Sequence, residues 1–467
     1  MKNKLIAWLI PIILGVAIWF MPIPEGVKPE AWHLFAIFVA TIIAFITGPA
    51  SMGTLSILAI VLTSLTGVLK IGVALSGFAN STIWLIVAAF LLSRGFINTG
   101  LGQRIAYILI KLFGKSPIRL AYTLLVSDLI LAPATPSNTA RTGGVVSPIT
   151  RSLASAFGSE PDGTRRKIGA YLVQVISQTS GVTSAMFMTS NAPNPMIVSL
   201  VAASFGIAMS WGGWAIAGLV PGIVSLLLIP IVLYKLYPPE ITDTRMAQDH
   251  AAKELEKMGS FSFGEKIMLI VFIGCLVLWA TGTITKIDAT TVALLGVVVL
   301  LLTGVISWSD VKKEQGAWDT LVWMGTLIAL ATQLSKLGFI PWLADVTGAA
   351  LGGISWVPAL VILFLIYYYI HYMFASLSAH AAALYIAFTT VAIGCGAPVM
   401  LTLYLFAFAN GLFLPLTHYA SGPAPILFGS GYVSQPEWWK LGFIFSVIYI
   451  LVWGSIGSIW WKVLGLW

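Results

Sequence analysis

Residues Ala132 to Pro148 read A-P-A-T-P-S-N-T-A-R-T-G-G-V-V-S-P, and long apolar runs flank the stretch on both sides. Pro133, Pro136, Gly143, Gly144 and Pro148 all break or cap helices, and Ser137, Asn138 and Thr139 stand between them as three short polar side chains in a row. Inside a bilayer an unsatisfied backbone group costs several kcal/mol, so irregular backbone at membrane depth survives only within protein or along a wet cavity. Broken, polar backbone at mid-membrane points to a transporter binding site. An extramembrane loop is the alternative. Against it stands the recurrence of the same kind of stretch in the second half of the chain.

Working outward, the composition sets the class. Of 467 residues, 58% are hydrophobic and only 9% charged, and the mean hydropathy is +0.94. A soluble domain carries about 25% charged residues, so the chain reads as an all-α polytopic membrane protein. Its net charge of +8 is spread over loops, as the excess of Lys and Arg on cytoplasmic loops explains, and no nucleic-acid partner is implied. Cys275 and Cys395 sit in apolar segments of different halves and form neither a metal motif nor a disulfide framework. Lys2 and Lys4 precede an apolar run from Leu5 to Met21 that ends in Met21-Pro22-Ile23-Pro24 without a small-residue cleavage site. It reads as a retained first helix with a cytoplasmic N-terminus.

The chain divides into four parts. Residues 1–32 hold the first helix and its connection. Residues 33–237 form a first half with a hairpin near 131–155. Residues 238–263 are a hydrophilic linker whose charges alternate through Ala247–Lys257, as in a short surface helix. Residues 264–467 form a second half with a hairpin near 375–395. Leu65-Thr66-Gly67-Val68 precedes Trp84 and Gly100, and Leu302-Thr303-Gly304-Val305 precedes Trp323 and Gly338. Each series continues into an amphipathic piece, a spanning run and two broken polar stretches. This shared order predicts two inverted repeats with a midplane site. The amphipathic pieces are Gly102–Lys115, where Arg104, Lys111 and Lys115 share a face suited to the membrane interface, and Ile340–Leu351.

Four broken stretches carry the candidate chemistry. Ser, Thr and Asn supply neutral donors and acceptors, and helices starting beside them favour an anion. Asn138 and Thr139, beside Ser137, would meet one carboxylate of a small dicarboxylate, and Ser378 and His380 the other. Thr189, Ser190 and Asn191, with Thr417, His418 and Ser421, would close the site. His380 and His418 fall inside polar breaks, whereas His33, His250 and His371 read as peripheral. Arg141 either attracts the anion or snorkels toward the cytoplasm. Asp128 is either functional or a cap for backbone N–H groups. No acidic cluster for a divalent metal and no G-K-[ST] phosphate loop occurs, which argues against an ATP-driven pump and a membrane prenyltransferase. No acid/base or nucleophile constellation points to an enzyme.

Ser137-Asn138-Thr139, Ser378-Ala379-His380 and Thr417-His418-Tyr419-Ala420-Ser421-Gly422-Pro423-Ala424-Pro425 with Phe428-Gly429 resemble the divalent anion/sodium symporter family over nearly the whole chain. Its bacterial citrate- or tartrate-for-succinate antiporters and plastid 2-oxoglutarate/malate translocators look most similar. The resemblance implies about eleven transmembrane helices, two re-entrant hairpins, a homodimer in lipid, and an elevator movement of a transport domain against a scaffold, joined by the amphipathic pieces as arms. It also draws Ala379 and Gly422 into the site. The chain departs from the sodium-coupled pattern, which has Ser-Asn-Thr in both hairpins. Here the second carries Ser378-Ala379-His380, and Pro133 stands four residues before Ser137 where symporters place Ser. A positive charge from His380, His418 or Arg141 would then replace sodium. The expected function is electroneutral exchange, across the cytoplasmic membrane, of small carboxylate anions, C4–C6 di- or tricarboxylates such as 2-oxoglutarate, malate, succinate or citrate, with sodium not favoured and no other cofactor or metal. A sodium-coupled symporter is the alternative, and an anion channel the third.

Overall fold

A computed structural model describes residues 2–161, 163–350 and 355–467, and every regular element among them is helical. The chain opens with α1 (Lys2–Phe20), α2 (Pro29–Thr47) and α3 (Met52–Leu65). Pro29 suits the first turn of α2, where no N–H partner is lost. After the short α4 (Ile71–Ala74), Asn80 caps α5 (Ser81–Thr99) by accepting from the Thr82 and Ile83 N–H groups at 2.9 and 3.3 Å. Gly100, at φ 72°, ends α5 and turns the chain directly into α6 (Leu101–Phe113).

The first hairpin runs from α7 (Pro117–Leu131) through an irregular tip to a wide π-type segment, Thr139–Val146, that continues as α8 (Ser147–Ala156). Next, α9 (Gly169–Met186) stops at a break and resumes as α10 (Pro193–Phe205), and α11 (Trp211–Leu236) leads to the linker helix α12 (Arg245–Met258). The later elements are α13 (Phe263–Ala280), α14 (Gly282–Thr285), α15 (Ala289–Leu302), α16 (Trp308–Lys313) and α17 (Gln315–Lys336). A 65° bend separates α17 from α18 (Phe339–Ala350). The second hairpin is α19 (Trp356–Tyr369) and α20 (Leu377–Gly394). Then α21 (Val399–Leu412) breaks and resumes as α22 (Pro423–Gly429), before α23 (Gln435–Leu451) and α24 (Ser458–Val463).

Eight helical segments among the described residues are long and apolar enough to cross a membrane, or nine if the bent α17–α18 pair counts as one span. Shorter apolar helices, including α3, α10, α15 and α21, add to them. This is a multi-pass membrane protein. At its centre lie α9, buried from Gly169 to Met186, and α21, buried from Leu401 to Leu412. A helix covered on all sides belongs to the interior of a bundle. The two approach so closely that a Cβ on Gly411 would stand 2.7 Å from the Ala185 backbone nitrogen. Small residues at such crossings let backbones pack in contact, as membrane helices require.

The linker corrects one sequence expectation. Arg104 does not face lipid headgroups: it is only 4% exposed. It pairs with Glu265 and donates to the Met258 and Gly259 carbonyls at 3.2 and 2.8 Å. The last carbonyls of α12 lack intrahelical donors, and Arg104 supplies them. Lys111 and Lys115 do stay exposed, yet their backbone carbonyls also hold the linker, accepting from Gln248 Nε2 at 2.6 Å and from the Thr244 N–H at 3.2 Å. The linker therefore covers the Arg104 end of this face, while the Lys111 and Lys115 side chains stay open. The counterpart expected at Ile340–Leu351 forms as α18, with Leu351 outside the described residues.

Candidate functional site

The tip of the first hairpin begins its helix with a serine cap, Ser137 Oγ accepting from the Ala140 N–H at 3.1 Å. Asn138 Nδ2 donates to Asn191 Oδ1 at 3.3 Å, tying the tip to the α9–α10 break. Thr189 reinforces the tie: its hydroxyl donates to the Pro133 carbonyl and accepts from Trp211 Nε1 at 2.9 Å. Ser190 faces the other way. Its hydroxyl donates to the Ser184 and Phe187 carbonyls at 2.8 and 2.7 Å, so it finishes the end of α9 instead of offering a free group.

Thr139, half-buried, meets the second break. A Cβ on Gly422 would overlap Thr139 Oγ1, so glycine is required there by close approach and not by φ, which is −57°. Within that break Ser421 donates to the Leu414 carbonyl at 3.2 Å. The break is bound in turn to the second hairpin, where Tyr419 donates to the Tyr372 carbonyl at 2.9 Å and His371 Nε2 lies 2.9 Å from the Ala420 carbonyl. In that hairpin Ser376 caps α20 by accepting from the Ala379 N–H at 3.3 Å. This places Ser378, half-buried, and Ala379 and His380, both buried, in the first turn. The four broken stretches thus form one contiguous cluster, with helices starting at Thr139, Pro193 and Leu377. Four buried atoms of the cluster lack a hydrogen-bond partner: Asn191 Nδ2, Asn194 Oδ1, Thr417 Oγ1 and His380 Nε2.

The charged candidates change character. Arg141 is fully buried, not snorkelling. Its Nε donates to Asp128 Oδ1 at 3.1 Å, and its other donors go to the Thr135 and Ser190 carbonyls at 3.0 and 2.9 Å and to the Thr183 and Ser184 hydroxyls at 3.2 and 3.1 Å. Guanidinium has five donors, and all are taken, so Asp128 is the counterion of a structural Arg141. His418 Nδ1 accepts from Trp439 Nε1 at 3.0 Å, a bond that only an unprotonated Nδ1 can accept. That ring nitrogen of His418 is therefore already engaged by Trp439. His380 keeps one ring nitrogen, Nε2, that is buried without a hydrogen-bond partner.

His371 is a correction. It is fully buried, with Nδ1 3.1 Å from His380 Nδ1 and its ring stacked 4.0 Å from Phe413, while His33 stacks on Trp19 and His250 contacts Ser152 away from the cluster. The apolar run ending in Tyr367, Tyr368 and Tyr369 hid it. A 3-10 turn, Ile370–Met373, swings it back onto the tip. Asn194 was missed for another reason: it sits between two prolines, which mark a helix start but do not reveal that one amide atom stays unpaired.

On one side the cluster borders a cavity of about 310 Å³, lined by Ser81, Thr82, Ser210, Trp211, Lys286 and Asp288 among others. Trp211 stands between this space and Thr189.

The sequence profile described as "Sodium:sulfate symporter transmembrane region" matches residues 2–467. The chain belongs to this divalent anion/sodium symporter family. YflS of Bacillus subtilis, named as a candidate malate transporter, is 53% identical over 465 residues, spanning 99% of this chain and 97% of that protein. The chloroplastic dicarboxylate transporter 1 of Spinacia oleracea is 44% identical over 98% of this chain and 81% of its own length. The citrate/succinate antiporter of Escherichia coli is 36% identical, covering 100% and 99%. Among solved structures, the YdaH transporter of Alcanivorax borkumensis superposes with a TM-score of 0.61 at 12% identity, covering 99% of this chain and 97% of that one, a likeness of fold alone. This chain of the family is a transporter, not an enzyme.

Proposed function

We propose that the chain is a homodimeric exchanger of di- or tricarboxylates of the 2-oxoglutarate, malate, succinate and citrate class in the cytoplasmic membrane. It works without sodium, by an elevator movement of two inverted repeats, with its N-terminus in the cytoplasm. The observation that carries this reading is the contiguous cluster of four broken stretches, polar at one end through Asn138, Thr139 and Asn191 and histidine-bearing at the other through Ser378 and His380. Helix starts at Thr139, Pro193 and Leu377 place positive partial charge, roughly half an elementary charge each, beside it. A dicarboxylate bridging both ends would satisfy the unpaired Asn191 and Thr417 groups. With Arg141 offset by Asp128 and His418 Nδ1 engaged by Trp439, His380 stands where symporters carry the last residue of a second Ser-Asn-Thr. An empty site would cross the membrane with unpaired polar groups and uncompensated positive ends, which is costly at that depth. A returning anion removes the cost, hence exchange. A relative named for citrate/succinate antiport supports the same mode.

Counterflow tests it. Purified protein in proteoliposomes should take up labelled succinate only when the vesicles contain unlabelled dicarboxylate, with or without a sodium gradient. Sodium-driven uptake into empty vesicles would make it a symporter instead. Uptake without saturation or internal anion would make it a channel.

A further inference from the structure

The pair of buried histidines has an internal logic that fixes where a proton can go. His371 Nε2 is 2.9 Å from the Ala420 carbonyl oxygen, which can only accept, so Nε2 of His371 carries hydrogen. A neutral His371 then has a bare Nδ1. That Nδ1 lies 3.1 Å from His380 Nδ1, so the hydrogen between them belongs to His380. His380 is therefore the Nδ1–H tautomer, and its bare Nε2 is the buried atom without a partner. The choice matters if a proton is added. On His371 it would have to sit on Nδ1 and set two N–H groups against each other. On His380 it goes to Nε2 and breaks nothing.

We propose that His371 is a positioning residue: it holds His380 as the Nδ1–H tautomer, so that the single proton the pair can add lands on His380 Nε2 and is donated from there to a substrate carboxylate. The proton comes from the aqueous phase with the anion and returns when the anion leaves. Both legs of an exchange carry it, and none accumulates. The surroundings leave this atom to the substrate. Tyr367, Phe374 and Phe413 pack around the His380 ring with centroids 4.4, 4.9 and 4.6 Å away. The titratable groups on the elements packed against α20 are Tyr367, Tyr368 and Tyr369 on α19, Tyr404 on α21, Asp345 on α18, and Glu30 and His33 on α2, with His371 and Tyr372 in the intervening turn. Of these, the described contacts bring Tyr367 and His371 onto the His380 ring. The substrate half of this inference rests on the carboxylate-exchange reading. The tautomer half does not.

The test is ¹⁵N spectroscopy of the full-length, histidine-labelled protein in nanodiscs, with signals assigned from His371→Gln and His380→Gln. The expected wild-type spectrum shows His380 protonated at Nδ1 and bare at Nε2, and His371 the reverse. Saturating succinate should move His380 Nε2 toward the protonated range and leave His371 unchanged. In His371→Phe the fixed tautomer of His380 should be lost, and the KM for succinate counterflow should rise by at least about tenfold, the scale of one lost buried hydrogen-bond partner. His371→Gln, whose amide can donate to Ala420 and accept from His380, should restore both. A wild-type His380 protonated at Nε2 alone overturns the proposal, as does an unchanged His380 signature in His371→Phe. If His371→Phe does not fold, the wild-type spectrum decides alone. The predicted tautomers without any succinate-induced change, in a protein that does exchange succinate, overturn the donation step. The predicted tautomers in a protein that exchanges no carboxylate defeat the transport reading and leave the positioning role standing.

Discussion

Replacing Gly422 with alanine adds one methyl group at the point where the second break touches the first hairpin. The new Cβ would overlap Thr139 Oγ1, while the two Cβ atoms would sit 3.4 Å apart. The clash is therefore with the hydroxyl and not with the backbone. To accept the methyl group, Thr139 must turn its hydroxyl away or the first hairpin must withdraw from α22. Either change disturbs the end of the cluster assigned to one carboxylate. Overpacking of this kind costs about 1–3 kcal/mol, which is about 5- to 150-fold in affinity. Gly422→Ala should thus raise the KM for succinate counterflow by that factor while the purified protein keeps its elution profile and thermal midpoint within a few degrees. Thr139→Ala removes the obstructing oxygen, so adding Gly422→Ala to it should cost little more. Wild-type kinetics in Gly422→Ala would refute the close approach. A double variant as impaired as the product of the two single ones would show that the effects are independent and that the shared contact is not their cause.

Three further predictions follow from buried contacts. Asp128→Asn leaves Arg141 charged, fully buried and short of its counterion, which should cost about 3–5 kcal/mol of stability and appear as a lowered thermal midpoint in detergent; Asp128→Asn with Arg141→Met should recover part of it. Gly77→Ala would drive a Cβ into the Gly325 backbone carbonyl of α17, which has no rotamer to move, so folded yield should fall sharply where Gly72→Ala, with open space around it, leaves yield unchanged. Arg104→Ala removes the partner of Glu265 and the donors at the end of α12, so amide hydrogen exchange should quicken across residues 245–262, with the KM for succinate unaltered.

How far the sequence could be read depended on whether a feature was local. The tip Ser137-Asn138-Thr139 and the break at Thr189-Ser190-Asn191 were visible because proline, glycine and polar residues interrupt long apolar runs, and such interruptions need no partner to be recognised. The linker helix was visible from its alternating charges. What those residues touch was hidden. Ser190 and Ser421 look like ligand groups by type, yet spend their hydroxyls on carbonyls at helix ends, because every interrupted helix leaves such carbonyls to be satisfied. Arg141 looked like a free cation because its counterion lies thirteen residues earlier, on the other arm of the hairpin. Arg104 looked interfacial because Glu265 is 161 residues distant in sequence. His371 read as part of an apolar aromatic helix, and only the turn after Tyr369 brings it to His380.

One carboxylate anion spanning the two ends of the cluster would be visible in a structure of the protein in nanodiscs with saturating succinate. Density for the anion is expected within hydrogen-bond distance of Asn138 and Asn191 at one carboxylate and of Ser378 and His380 at the other. Density confined to the cavity lined by Ser81, Ser210 and Lys286, with the cluster unchanged, would contradict it.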